Sequence, residues 1–200
     1  MATNLRSGGF INAPRQRGSG YDNGGLLEYT VSNGHAGNIL PGDPVALNTT
    51  GTIVQASVST NIVVGVLAGL KPEGQPTFVP LNYFASGTSA RSNFLGAQRI
   101  TALVIPAEDR IFEVQADGSV SAGDLGRSFD VTVGTGTTVA TGTSPKIIST
   151  ARVHASSRSA AGGVVKMVGI VDRAGEAITD AFPYILVQFN NTIDTRVSLA

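Results

Sequence analysis

The chain has no cysteine and no tryptophan. Without cysteine there is no disulfide framework, no thiolate metal site and no thiol nucleophile, and the redox compartment leaves no mark on the sequence. Charge is scarce as well. Asp, Glu, Lys and Arg make up 14 % of 200 residues, with 14 basic groups against 14 acidic ones, whereas about a quarter of an average chain is charged. A surface that binds nucleic acid through a general excess of Lys and Arg is therefore excluded. Two histidines, His35 and His154, limit imidazole chemistry. The longest apolar run, Ile62 to Leu70, falls far short of the roughly 20 residues of a membrane-spanning helix, and no contact with a membrane is expected. The N-terminal stretch has no apolar signal-peptide core, so synthesis in the cytoplasm without a secretory signal is expected.

Glycine, proline and β-branched residues are abundant instead. There are 25 Gly and 9 Pro, and 42 % of the chain is apolar, too hydrophobic and too neutral for a disordered chain. Residues 1–26 stand apart. They carry Gly8, Gly9, Gly18, Gly20, Gly24 and Gly25, with Arg6, Arg15 and Arg17 as the charges before Asp22, and show no period of 2 or 3.6. This pattern predicts an extended N-terminal arm, with Phe10 and Ile11 as apolar anchors. A body follows over 27–200. Alternating or short apolar runs at Leu27–Val31, Val45–Leu47, Thr52–Ala56, Ile62–Leu67, Ile100–Ile105, Ile111–Gln115, Ser128–Val133, Lys146–Val153, Val164–Val171 and Tyr184–Phe189 predict strands, with Gly65 marking a bulge or close backbone approach. Residues 71–100 and 134–143 read as irregular, and no three-turn helical period occurs. The expected fold is all-β: a compact β-barrel or β-sandwich of short strands, with two related lobes, 27–106 and 107–200, as one way of dividing it.

An internal echo supports that division. Leu40-Pro41-Gly42-Asp43 precedes a strand and then Val64-Gly65-Val66, while Ala122-Gly123-Asp124 precedes a strand and then Val168-Gly169-Ile170. Glycine takes positive φ without steric cost, and Asp caps a local backbone N–H. Gly42, Asp43, Gly123 and Asp124 are therefore read as recurring structural turns, in preference to a shared two-carboxylate site. The distance from Asp to Gly is longer in the second copy, which predicts an insertion there.

The chemistry-bearing residues form no familiar pattern. Neither histidine sits in a strand–turn–helix elbow, and no G-x-S-x-G occurs. A Ser–Lys pair using Lys71, Lys146 or Lys166 is the remaining formal route to a nucleophile. Metal-ligand spacing is missing, and Gly134-Thr135-Gly136 lacks the lysine of a phosphate loop. No enzyme activity and no cofactor are expected. The three arginines of the arm suit an acidic protein surface better than phosphates, so no nucleic-acid partner is expected either.

The strings Ile39-Leu40-Pro41-Gly42-Asp43-Pro44-Val45-Ala46-Leu47 and Ile62-Val63-Val64-Gly65-Val66 resemble the small β-rich head decoration, or cement, proteins of tailed bacteriophages. In these a G-D-x-V turn and strand lead to an I-V-G-V strand. Val120 to Asp124, Val168-Gly169-Ile170 and Ile185 to Phe189 fit the same style, so the likeness covers about residues 37–70 and 111–190. The resemblance implies a virion protein on the capsid surface, binding the major capsid protein and holding neighbouring subunits together as a homo-oligomer, a trimer or else a dimer. Arg6, Phe10, Ile11, Arg15 and Arg17 are its expected partner-binding residues. The alternative from another class is a β-sandwich adhesin or carbohydrate-binding module of a phage fibre or tail, although aromatic platforms are few: Tyr21, Tyr29, Tyr83 and Tyr184.

Overall fold

A computed structural model describes residues 9–12, 25–31, 38–56, 62–72, 100–134, 136–139, 146–160, 162–171, 177–190 and 192. The chain is all-β, and the helical content of the described residues is one 3-10 turn, Ala122–Asp124. The first half gives β1 (Ile11–Asn12), β2 (Leu27–Thr30), β3 (Pro44–Leu47), β4 (Ile53–Gln55), β5 (Val63–Pro72) and β6 (Ile100–Pro106). The second gives β7 (Phe112–Gln115), β8 (Ser128–Thr132), β9 (Thr137–Val139), β10 (Lys146–Ile148), β11 (Arg152–Ser159), β12 (Val165–Ile170) and β13 (Tyr184–Phe189).

Most of these strands lie where apolar alternation predicts them. Three differences have physical causes. β5 runs on through Lys71 and Pro72, which pair with Thr101 and Ile100; Pro72 is tolerated because it ends the strand. β9 forms inside the stretch read as a flexible turn, where Thr and Val supply β-propensity despite the flanking glycines. Lys146–Val153 is not continuous. It divides at Ser149 into β10, which pairs with β9, and β11, which pairs with β8.

Two main sheets result. The first has the order β2-β6-β5-β3-β4, and the second β1-β7-β13-β12-β8-β11. In each, the residue that follows the opening strand bridges back in parallel to a distant strand: Val31 to Ile53, and Ala116 to Val153. Each sheet is thereby a partly closed five-stranded barrel, with β1 added outside β7.

The two barrels are the same object built twice. Replacing β2, β3, β4, β5 and β6 by β7, β8, β11, β12 and β13 turns one strand order into the other. The register agrees over most of the pairs, although β11 breaks register against β8 after His154 where β4 against β3 does not. Leu27 pairs with Val104 as Phe112 pairs with Val187, and Glu28 with Leu103 as Glu113 with Leu186. Pro44 faces Val66 as Ser128 faces Lys166. The pairing of β5 with β6 shifts between Leu67 and Gly69, and that of β12 with β13 between Met167 and Gly169.

This superposition corrects the echo read from sequence. The counterpart of Gly169 is Gly69, not Gly65. Gly65 sits at a separate register shift between β3 and β5. The equivalent of Leu40-Pro41-Gly42-Asp43 is Asp124-Leu125-Gly126-Arg127, three residues beyond Gly123-Asp124. Both are type II turns: the fourth N–H donates to the first carbonyl (2.9 Å in each), and Gly42 (φ 93°) and Gly126 (φ 81°) hold the third position, which only glycine occupies without strain. The insertion predicted for the second copy is the β9–β10 hairpin, lying between β8 and β11 where the first barrel has only a short turn between β3 and β4.

The cores differ in chemistry. The first is aliphatic, with Val31, Ile39, Val45, Ile53, Leu67, Leu70 and Val104 buried. The second is built on Phe112, Phe129 and Phe189 with Val131, Val153, Met167 and Ile185. Ala46, Ala56, Val63 and Val66 of the first barrel join this second cluster, so the barrels pack against each other through small and branched side chains. Burying each large apolar side chain contributes about 1.5–3 kcal/mol.

Candidate functional site

Glycine and aspartate in the turns do different work. Asp43 is fully buried at the meeting point of four segments. Its Oδ2 accepts from the Leu40 N–H (2.9 Å) and from Gln55 Nε2 (2.8 Å), and its Oδ1 from Ser149 Oγ (2.5 Å). Gln55 also donates to the Gly134 carbonyl (3.3 Å). Gly134 and Ser149 flank the inserted hairpin, so the insertion of the second barrel is clamped to the first through one carboxyl group. Burial pushes the Asp43 carboxyl up to about 6, against the hydrogen bonds from Ser149, Leu40 and Gln55, which pull it down.

Asp124 is buried too and caps its own turn: the Ser121 N–H (2.8 Å) and Oγ (3.0 Å) donate to its Oδ2. Its Oδ1 meets Arg158 Nη1 at 3.0 Å. Asp43 and Asp124 thus hold separate sets of partners. The same device recurs at Asp180, whose carboxylate accepts from the Ala177 N–H (3.1 Å) while its own N–H returns to the Ala177 carbonyl (3.0 Å). No Gly precedes Asp180, which is why the sequence pattern passed over it.

The arm is placed differently from its expectation. Phe10 is buried within the protein's own second barrel, its ring 5.3 Å from Phe189 and 6.4 Å from Phe112, and these two are 5.4 Å apart. Such ring contacts add about 0.5–1.5 kcal/mol each beyond the area buried. The Phe10 N–H donates to the Gly42 carbonyl (2.9 Å), and Ile11 and Asn12 pair with Glu113 and Phe112. Phe10 is therefore an internal anchor and offers no ring to a partner. Ile11 is half exposed on the outer edge of the sheet. Arg6, Arg15 and Arg17 lie outside the described residues, as do Tyr21, Tyr83 and His35.

One polar arrangement has no antecedent in the sequence reading. On β11 the side chains alternate, with Val153 and Ala155 buried and His154, Ser156 and Arg158 outward. His154 Nε2 lies 2.9 Å from Ser156 Oγ, and His154 Nδ1 lies 2.7 Å from Asp117 Oδ2. The other carboxylate oxygen, Asp117 Oδ1, accepts from the Ala155 N–H (2.8 Å). The Asp117 N–H in turn donates to the Val153 carbonyl (2.9 Å), so the bridge that closes the barrel fixes the aspartate beside the histidine. An Nδ1–H given to the carboxylate leaves Nε2 to accept the Ser156 hydroxyl proton. The readable signal was H-x-S on a strand, since residues i and i+2 share a face. Asp117, 37 positions away, carried no such mark. Of the lysines considered for a Ser–Lys pair, Lys71 faces Glu28 (3.7 Å) and Lys166 is exposed. The side chain of Lys146 lies outside the described residues.

Comparison of the chain with protein-family models, with curated protein sequences and with solved structures found no match.

Proposed function

We propose that this protein is a decoration protein of a phage head, binding the outer face of the shell across neighbouring major capsid subunits, as a trimer in its simplest form. The observation that carries this reading is the docking of residues 9–12 on β7. It pins the N-terminal segment to the second barrel, while β2, next in the sequence, belongs to the first. The basic stretches on either side, with Arg6 before the pin and Arg15 and Arg17 after it, then start from fixed points on the body. The first 20 residues hold three arginines and no acid, leaving 11 basic against 14 acidic groups elsewhere. A basic segment on a mildly acidic body suits an acidic protein surface. Arginine is enriched among the residues that dominate binding energy, and repeated engagement by several copies offsets the entropy of ordering the segment.

The test keeps Phe10 in place, because deleting residues 1–20 would also remove a core ring. Shells of the cognate major capsid protein are mixed with the wild type and with an Arg6, Arg15, Arg17→Ala triple variant, and occupancy is read by cosedimentation. Wild-type binding that falls at least tenfold in the variant, with an unchanged unfolding transition, is the expected result. Failure of the wild type to bind shells overturns the reading, and equal binding of the two proteins overturns the role of the arginines.

A further inference from the structure

The geometry points to Asp117, His154 and Ser156 as an acyl-transfer site on the outer face of β11, acting on unhindered carboxylic esters. Each link has the length that such a relay requires, hydroxyl to imidazole at 2.9 Å and imidazole to carboxylate at 2.7 Å. The carboxylate is immobilised from both sides, by the ring on Oδ2 and by the Ala155 N–H on Oδ1, which sets the ring orientation and tautomer. The barrel's construction does not demand a histidine at this place. On the duplicate strand β4, Val54 pairs with Ala46 as His154 pairs with Asp130, so an apolar residue fills the matching place.

A cation follows on the same strand: Arg158 is exposed like Ser156, and its Nη1 is tethered by the buried Asp124. The register of β11 against β8 breaks between His154 and Ser159, and bulges of this kind re-aim side chains beside reacting centres.

In the reaction, Ser156 Oγ adds to the ester carbonyl carbon as its proton passes to His154 Nε2. The negative charge that develops on the carbonyl oxygen is met by the Arg158 guanidinium. The C–O bond to the alcohol then breaks, the leaving oxygen takes the proton from Nε2, and an acyl-Ser156 remains. Water gives a proton to the same Nε2 and adds to the acyl carbon. Collapse returns that proton to Ser156 Oγ and releases the carboxylic acid. His154 and Ser156 are the catalytic residues, and Asp117 is a positioning residue.

The full chain is incubated with a fluorophosphonate probe, mapped by peptide mass spectrometry, and with 4-nitrophenyl acetate, followed by absorbance. The expected results are an adduct on Ser156 in excess of every other serine, and saturable ester hydrolysis. S156A should lose both. H154Q should lower kcat at least about tenfold. D117N should lower kcat by a similar factor with KM within about twofold, a split that a merely structural role would not give. Ser156 is exposed and His154 partly so, so S156A and H154Q should keep the wild-type circular dichroism and unfolding curve. An S156A protein that hydrolyses the ester at the wild-type rate overturns the proposal, as does a probe spread evenly over the serines.

Discussion

The two barrels share strand order, register, a closing bridge and a glycine turn, yet their interiors and surfaces diverge. Topology and hydrogen-bond register are thus maintained by few residues: a glycine at positive φ in the turn before β3 or β8, and a glycine at the bulge of β5 or β12. Elsewhere identities differ while the matching core places stay apolar and buried, as at Val45 and Phe129 or Leu67 and Met167. The first barrel filled its centre with branched aliphatics and kept Val54 on β4. The second took three phenylalanines, admitted a fourth from the N-terminus, and placed a histidine where the first has valine.

If the second barrel depends on its rings, Phe112→Ala should be the most damaging change, at about 3–5 kcal/mol in denaturant unfolding. Leu27→Ala at the matching position should cost less than half of that, because Leu27 is only half-buried. Equal losses would break the contrast between the cores.

Asp43 offers the next test, since the residue matching it in the second barrel is Arg127. A carboxyl raised to about 6 by burial binds its proton more tightly folded than unfolded. The stability it contributes is therefore full below the unfolded value near 4 and is lost as pH rises through about 6. Relative to Asp43→Asn, the wild type should gain about 2–3 kcal/mol between pH 7 and pH 4, measured by urea unfolding across that range. A difference between wild type and Asp43→Asn that does not change with pH would remove the buried carboxyl from the account.

Gly42→Ala and Gly126→Ala probe what the barrels have in common. Each places a β-carbon at positive φ and should cost about 1–2 kcal/mol, by the shift in thermal midpoint. Unequal losses would show that the turns are not equivalent. The smallest effect is expected at Glu28→Gln. Its ion pair with Lys71 is 3.7 Å long and exposed on both sides, so the change in stability should stay under about 1 kcal/mol.

The strands were legible in the sequence because a half-buried strand alternates its side chains, as Leu27 to Val31 does, although β7, read from the same alternation, is buried on both faces. The duplication was half legible. Matching Gly-Asp to Gly-Asp aligned the copies three residues out of step, because the shared constraint is the glycine of the turn and Asp43 answers to Arg127. The buried state of Asp43 was hidden, since its partners Gln55 and Ser149 lie 12 and 106 positions away. The Asp117–His154 contact was hidden for the same reason: only barrel closure brings the Ala116 bridge to Val153. Phe10 read as an arm residue because it and Ile11 stand isolated among glycine and polar residues, and nothing local announces a pocket formed by Phe112 and Phe189.

That last contact sets an order of assembly. Every strand of the first barrel has been synthesised once residue 106 is made, so this barrel has the means to close while the second half is still being translated. The pocket for Phe10 needs Phe189, so this ring can be buried only after β13 has been made. A contact of such long sequence separation is slow to form. Docking of residues 9–12 thus requires β7 and β13 to be in place.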